Sequence, residues 1–254
     1  MVMSDRLKNY VIPTVFMIFA LSGLVALGNW QVQRLYWKRD LIAAVTERPK
    51  LPPIAAPGPE SWSDFDFDRY DYRAVFLEGR YREGEVHVFT ALSQPNGQYG
   101  GQGFWIMAPF ETVDGWTVMV NRGFVPGSKK DPASRPEADA AADPARVVGL
   151  VRRAGVANDF TPENNLADNQ WYVRDPVAIG RHLGVAANRL APYSVDLVAA
   201  MTPSTGLPQA GETRMSFTNS HLQYAVTWYG LALALVGVYG AFIWSNWRRR
   251  ADHG

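Results

Sequence analysis

The sequence predicts a membrane protein in which two transmembrane helices flank a β-rich α+β domain, built on an antiparallel sheet and held on the extracytoplasmic side. Three observations lead there. No charged residue lies between Lys8 and Arg34, or between Arg214 and Arg248, and each run exceeds the ~20 residues that cross a bilayer as helix. Between them the pattern changes to short alternating segments rich in β-branched and aromatic residues, bounded by Gly, Asn and Asp, as in hairpin-connected strands. Prolines at 49, 52, 53, 57 and 59, and again at 203 and 208, read as semi-rigid linkers between the two regimes.

Composition narrows the chemistry. A net charge of +1 gives no reason to expect nucleic acid as a partner. The absence of cysteine excludes disulfides, thiolate metal sites, covalently attached c-type haem and a cysteine nucleophile. The mean hydropathy of −0.15 averages two strongly apolar ends over a polar middle, so it hides the membrane segments.

In order, residues 1–9 form a short tail and 10–30 the first transmembrane helix, with Pro13 in the first turn, where a missing N–H is tolerated. A cleaved signal peptide is the competing reading, with Ala26-Leu27-Gly28 as its small-x-small site; it leaves one span. Trp30–Arg48 is expected to continue as helix beyond the lipid. Residues 31–218 hold the extracytoplasmic domain. Within it Arg73–Tyr81, Glu85–Leu92, Gly103–Glu111, Trp116–Val125, Arg146–Arg153, Gln170–Arg174 and Pro192–Ala199 read as strands, and Asp114-Gly115 marks a hairpin turn. Asp131–Ala145 reads as an exposed loop. A soluble helix is predicted over Pro176–Leu183, capped by Asp175 and closed at Gly184. Residues 221–245 are the second transmembrane helix and 246–254 a basic tail.

Two spans put both ends on one side. The arginines at 248–250, with Arg6 and Lys8, favour cytoplasmic ends under the positive-inside rule, and a large domain translocates largely regardless of its own charge. Small residues at Gly230, Ala234, Gly237 and Ala241 allow close helix packing, with Ser22, Gly23 and Ala26 as expected counterparts on the first span.

His221 opens the second span, where an ionisable group is costly and tends to be functional. Tyr224, Ala225 and Trp228 follow at helical spacing, and a small Ala between two rings could leave a slot for a flat macrocycle. Two readings stand: an axial ligand for haem iron, or a hydrated interfacial histidine among belt aromatics. His87 and His182 lack partners at ligand spacing, and the chain holds no Gly-x-Ser-x-Gly or His-Glu-x-x-His motif. No enzyme site is expected.

Three blocks carry a family likeness. Gly28-x-Trp30-Gln31-x-x-Arg34-x-x-x-Lys38 resembles the opening signature of the surfeit locus protein one family. Val118–Pro126 resembles its central block, with Phe124 where tryptophan is common, and Asn219–Gly230 its closing block, with Ser220 where a second asparagine is usual. The resemblance implies an assembly factor for haem-copper cytochrome c oxidase that takes haem a transiently and aids its insertion into the oxidase catalytic subunit. It makes His221 the haem-iron ligand, with Tyr224 and Trp228 beside it. Arg122 becomes a candidate for a haem propionate or partner carboxylate, the plainer role being an internal salt bridge. Haem a synthase is a further implied partner alongside the lipid bilayer. The implied location is a bacterial-type cell (inner) membrane with the domain periplasmic, or the mitochondrial inner membrane in a eukaryote. The rival expectation is a membrane scaffold that steadies an oxidase intermediate without binding haem.

Overall fold

The computed structural model describes residues 10–135, 145–213 and 220–251. The expected tail at 1–9, most of the loop expected at Asp131–Ala145 and Asn219, the first residue of the closing block, lie outside the described residues. The chain divides into two compact units, Met1–Ala43 with Ser216–Gly254, and Ala44–Met215.

The first unit holds helix α1 (Ile12–Glu47) except its last four residues, and helix α4 (His221–Ala251). Both are long and apolar enough to cross a membrane, and only 6% of the residues in each apolar stretch are buried. A core helix of a soluble protein would hide that surface, because exposing a continuous apolar face to water is unfavourable. Beyond the apolar run, α1 continues through Arg34, Lys38 and Arg39 as helix.

Among the described residues the second unit holds eight strands: β1 (Ile54–Ala55), β2 (Ala74–Tyr81), β3 (Val86–Leu92), β4 (Gly101–Thr112), β5 (Thr117–Pro126), β6 (Ala145–Arg152), β7 (Gln170–Trp171) and β8 (Leu190–Leu197). They follow the order β1-β2-β6-β8-β5-β4-β3-β7, and β2 also pairs with β4. That extra pairing closes β2, β6, β8, β5 and β4 into a five-stranded barrel. The expected antiparallel sheet is therefore corrected to a mixed one. A closed ring with an odd number of strands cannot reverse direction at every step, so at least one pair must run parallel. Here it is β5 with β8, joined by the long crossover that a parallel pair requires.

Closure depends on the length of β4. Its first part, Gly101–Met107, pairs with β3, and its last three residues pair with Gly79–Tyr81 of β2. Gly79 sits where β2 passes from β6 to β4, and a Cβ there would lie 2.0 Å from the Glu111 carbonyl oxygen. The predicted hairpin between β4 and β5 forms, with Gly115 at φ +82° in its turn.

Side chains from all five barrel strands converge in one core, including Val75, Phe110, Val118, Val120, Val147, Tyr193 and Val195. The segment before β2 packs on it. Phe65 stacks on Tyr193 at 4.8 Å, and the Tyr193 hydroxyl donates to the Pro57 carbonyl. Burial raises the pKa of that phenol well above its ordinary value. A second core lies on the other face of the sheet, where helix α3 (Pro176–His182) brings Ile179 against Met107, Met119 and Leu190. The ends of α3 are as predicted: the Asp175 carboxylate accepts from Val177 N and Ala178 N, and Gly184 takes φ +77°. The one-turn helix α2 (Phe67–Tyr70) is capped by Asp66 in the same way.

Part of the loop expected to be exposed is not. Arg135 is 3% exposed and its guanidinium donates to Glu85, whose carboxylate also bonds His87 Nε2 at 2.7 Å. A buried arginine without a carboxylate would be unstable, so the pair draws this stretch onto the barrel.

Candidate functional site

Helices α1 and α4 meet along one stripe of each. Over the part of α1 in this unit the buried positions described are Gly28 and Gln31, with Leu24 and Leu35 partly covered in register with them; on α4 they are Ala225 and Ala232, with His221 and Trp228 partly covered. The spacings of three, four and seven are those of one helical face. A Cβ on Gly28 would lie 2.7 Å from the Tyr229 ring, so only glycine lets that ring cross α1 here. The Tyr229 hydroxyl then donates to Asn29 Oδ1 at 2.6 Å. Further along, Thr14 and Tyr239 hydroxyls bond each other.

His221 stands at the head of this stripe. Its Nδ1 lies 2.7 Å from Gln31 Oε1, and Gln31 is only 9% exposed. In the tautomer protonated on Nδ1, the imidazole donates to this carboxamide oxygen and Nε2 carries the lone pair. The ring is thereby held by a residue of the other helix at the first turn of α4, which opens with the Tyr224 N–H bonded to the Ser220 carbonyl.

Two expectations are corrected. Ala225 is 2% exposed: it is packed in the helix interface and does not form the floor of an open slot between Tyr224 and Trp228. Tyr224 points away, 53% exposed, while Trp228 is half-buried. The small residues Gly230, Ala234, Gly237 and Ala241 are exposed, as are Ser22, Gly23 and Ala26, and no atom comes within 4 Å of a Cβ on Gly23, Gly230 or Gly237. Gly230 lies five residues past Ala225, about 140° further round the helix. The described contact between the helices thus uses Gly28, Ala225 and Ala232 instead.

Arg122 belongs to the barrel unit, and the other three predicted residues belong to the helix unit. It shares the strand parity of Val118 and Val120, is buried, and its guanidinium lies 4.8 Å from the centre of the Tyr81 ring. Burial raises the Tyr81 pKa to about 12, against the opposing pull of the Arg122 charge. Both residues line a cavity of about 540 Å3 with Glu85, His87, Ala108 and Asn169. Burial alone would raise the Glu85 pKa, but hydrogen bonds from His87 and Arg135, and their charges, outweigh it and hold the carboxyl below its ordinary value.

The rest of the central block is structural. Asn121 Nδ2 donates to Asp196 Oδ1, and Gly123 N donates to Asn121 Oδ1. Arg174 and the Thr213 hydroxyl also donate to Asp196, and Arg152 Nε lies 3.9 Å from its carboxylate. Gly123, at φ +132°, lies so close to residue 209 that a Cβ would fall 2.3 Å from the Gln209 carbonyl oxygen.

Sequence reasoning passed over Gln31, Asn29, Asp196 and Arg174. The available signal for Gln31 was its position: a carboxamide near the end of an apolar run needs a partner.

The sequence profile described as the SURF1 family matches residues 18–233, a span that contains all three blocks. The chain belongs to the SURF1 family. It is 34% identical over 220 residues to human Surfeit locus protein 1, covering 82% of this chain and 70% of that one. To the rat protein of the same name it is 32% identical over 230 residues, covering 86% and 72%. The SURF1-like protein of Drosophila melanogaster is 28% identical over 242 residues, 90% of this chain and 75% of that one. The SURF1 match includes both Gln31 and His221, together with the whole barrel.

Proposed function

We propose that this chain is a non-enzymatic membrane assembly factor for haem-copper cytochrome c oxidase, which takes haem a on His221 and passes it on for insertion into the oxidase catalytic subunit. Membership of the SURF1 family, which is linked to cytochrome c oxidase assembly, supports the oxidase part. One observation carries the haem part: the 2.7 Å contact between His221 Nδ1 and Gln31 Oε1. In the tautomer protonated on Nδ1 that contact is a hydrogen bond to Gln31 and Nε2 is the basic nitrogen, the kind of donor that haem iron takes, which supports this reading.

The donor set fits haem at one axial position. His221 would hold the iron, and the exposed ring of Tyr224, one turn on along α4, would offer an apolar surface for the isoprenoid tail of haem a. When bound, haem supplies the iron and macrocycle that the oxidase will use; the chain's own residues hold, orient and release it. A single imidazole on a helix that faces lipid suits release better than a closed two-ligand pocket would. In this reading the barrel unit lies on the outer side of a bacterial cell membrane or the equivalent side of the mitochondrial inner membrane, and haem a synthase and the oxidase catalytic subunit are the donor and the acceptor.

The test is haem absorbance of the full chain purified from cells that make haem a. His221→Ala is expected to lose the haem while the protein still accumulates in the membrane. Haem retained at the original level in that variant sinks the haem reading and leaves a scaffold that steadies an oxidase intermediate.

A further inference from the structure

We infer that Arg34 and Lys38, with the rings of Trp30 and Trp37, form a site on α1 for the phosphate headgroup of an anionic phospholipid. The inference goes beyond the proposed handling of haem, and it requires neither His221 nor a particular sidedness of the chain. Trp30, Arg34 and Trp37 recur at intervals of four and three, so they share a face of α1, and Lys38 stands one turn past Arg34. The Arg34 guanidinium lies 6.0 Å from the centre of the Trp30 ring and 5.2 Å from that of Trp37. The two rings are 48% and 57% exposed; Arg34 is exposed and Lys38 half-buried.

The rings hold the Arg34 charge by cation–π attraction and narrow the positions its long side chain takes. They offer no oxygen to its N–H groups. Among the described residues no side-chain hydrogen bond or ion pair joins Arg34 or Lys38 to an oxygen acceptor. Asp40 is the one acid between Arg34 and Thr46, and it lies two positions past Lys38, about 200° round the helix. On α4 no Asp or Glu stands between His221 and Arg248. A planar guanidinium takes two phosphate oxygens at once, and an ammonium one turn away adds a second positive charge to the same anion.

Position along the helix selects lipid over an acidic protein surface. From Ile12 to Trp30 α1 rises roughly 27 Å, close to the ~30 Å of a hydrocarbon core. Arg34 follows about 6 Å further on, at the level where a bilayer of ~40–45 Å carries its headgroups. Tryptophan concentrates at that same boundary. Two basic residues near an anionic surface favour it over a neutral one by about 10–30-fold.

The test uses the full chain labelled with 5-fluorotryptophan in lipid nanodiscs of phosphatidylcholine containing increasing phosphatidylglycerol of the same acyl chains. Trp30→Phe and Trp37→Phe assign two of the nine tryptophan resonances. Both fluorine resonances are expected to shift saturably, with half-saturation at about 3–10% phosphatidylglycerol, the fraction that a 10–30-fold preference gives. Arg34→Gln with Lys38→Gln should abolish the saturation. Arg248→Gln, at the other end of the helix pair beside Trp244, should leave it unchanged. Inorganic phosphate added to pure phosphatidylcholine discs should shift neither resonance. Saturation that survives in the double variant, or is lost equally in Arg248→Gln, overturns the site. A shift with inorganic phosphate overturns the choice of lipid, and no response to either phosphate source leaves the face to an acidic protein and overturns the inference.

Discussion

Asn121 and Asp196 stand opposite each other on the parallel pair β5 and β8, and the Asn121 amide donates to the Asp196 carboxylate at 3.1 Å. The same carboxylate accepts two bonds from Arg174 Nη1 at 2.9 Å and one from the Thr213 hydroxyl at 2.8 Å. With Asp196 only 2% exposed, this is a buried charge held by four hydrogen bonds, with Arg152 Nε a further 3.9 Å away. Asp196→Asn is expected to destabilise the protein by about 3 kcal/mol, because Arg174 keeps its charge and loses its partner. Adding Arg174→Met should restore part of that loss. Denaturation midpoints of the two single variants and the double variant measure the coupling; simple additivity would show that the two groups act independently.

Gly123 makes a different kind of demand. Phe124 and Gln209 exchange both backbone hydrogen bonds, which draws the chain at 209 against β5 where Gly123 has no side chain. At φ +132° with the Gln209 oxygen 2.3 Å from a would-be Cβ, alanine brings both backbone strain and a clash. A strained conformation costs on the order of 1–3 kcal/mol, and the clash comes on top of it. Gly123→Ala should therefore lower the unfolding midpoint more than Gly127→Ala, whose Cβ would meet nothing within 4 Å. Equal shifts for the two variants would remove the close approach as the cause.

The Glu85 cluster predicts an acid limb. Glu85 has a folded pKa below its ordinary value of 4.5, so its stabilising contribution is complete above the unfolded value and is lost as pH falls through the folded one. Stability should fall below about pH 4.5. Glu85→Gln should flatten that limb and cost about 3 kcal/mol at neutral pH, since the buried Arg135 loses its carboxylate. Urea midpoints measured from acid to neutral pH check both; an unchanged acid slope in the variant would assign the limb to other carboxylates.

What could be read from the sequence was local. The Asp114-Gly115 turn, the Asp175 cap with Pro176, and the two uncharged runs are each specified within a few residues, and each appears as expected. Closure of the barrel was not legible, because the β2–β4 and β5–β8 pairings join segments that are distant in sequence, and neither leaves a local signature. Alternation says that a strand has an inner face but not which neighbour it finds. The helix contact failed for a related reason. A run apolar on every side offers no periodicity, so glycine spacing alone pointed to Gly230 and Gly237, whereas the packed face is the one set by His221, Ala225 and Ala232. His221 itself was legible as a polar group in an apolar helix; its partner Gln31 needed the same argument applied to the first span.

The sidedness of the barrel unit decides whether His221 can serve a haem that arrives on the outer face of the membrane. The chain contains no cysteine, so a single introduced thiol reports its own location with no background. Val156 lies in the segment after β6 and is 92% exposed, which makes Val156→Cys a tolerable and reactive marker for the barrel unit. His253→Cys marks the tail beyond the basic run at 248–250. The positive-inside rule places that tail in the cytoplasm, while the size of the domain frees it from the rule. A membrane-impermeant maleimide added to intact cells should therefore modify Val156→Cys and spare His253→Cys until the membrane is permeabilised. The opposite pattern would turn the His221 end of α4 toward the cytoplasm, where a ligand at that height would meet haem before its transfer across the membrane, and delivery to an outer-face site would fail on geometry alone.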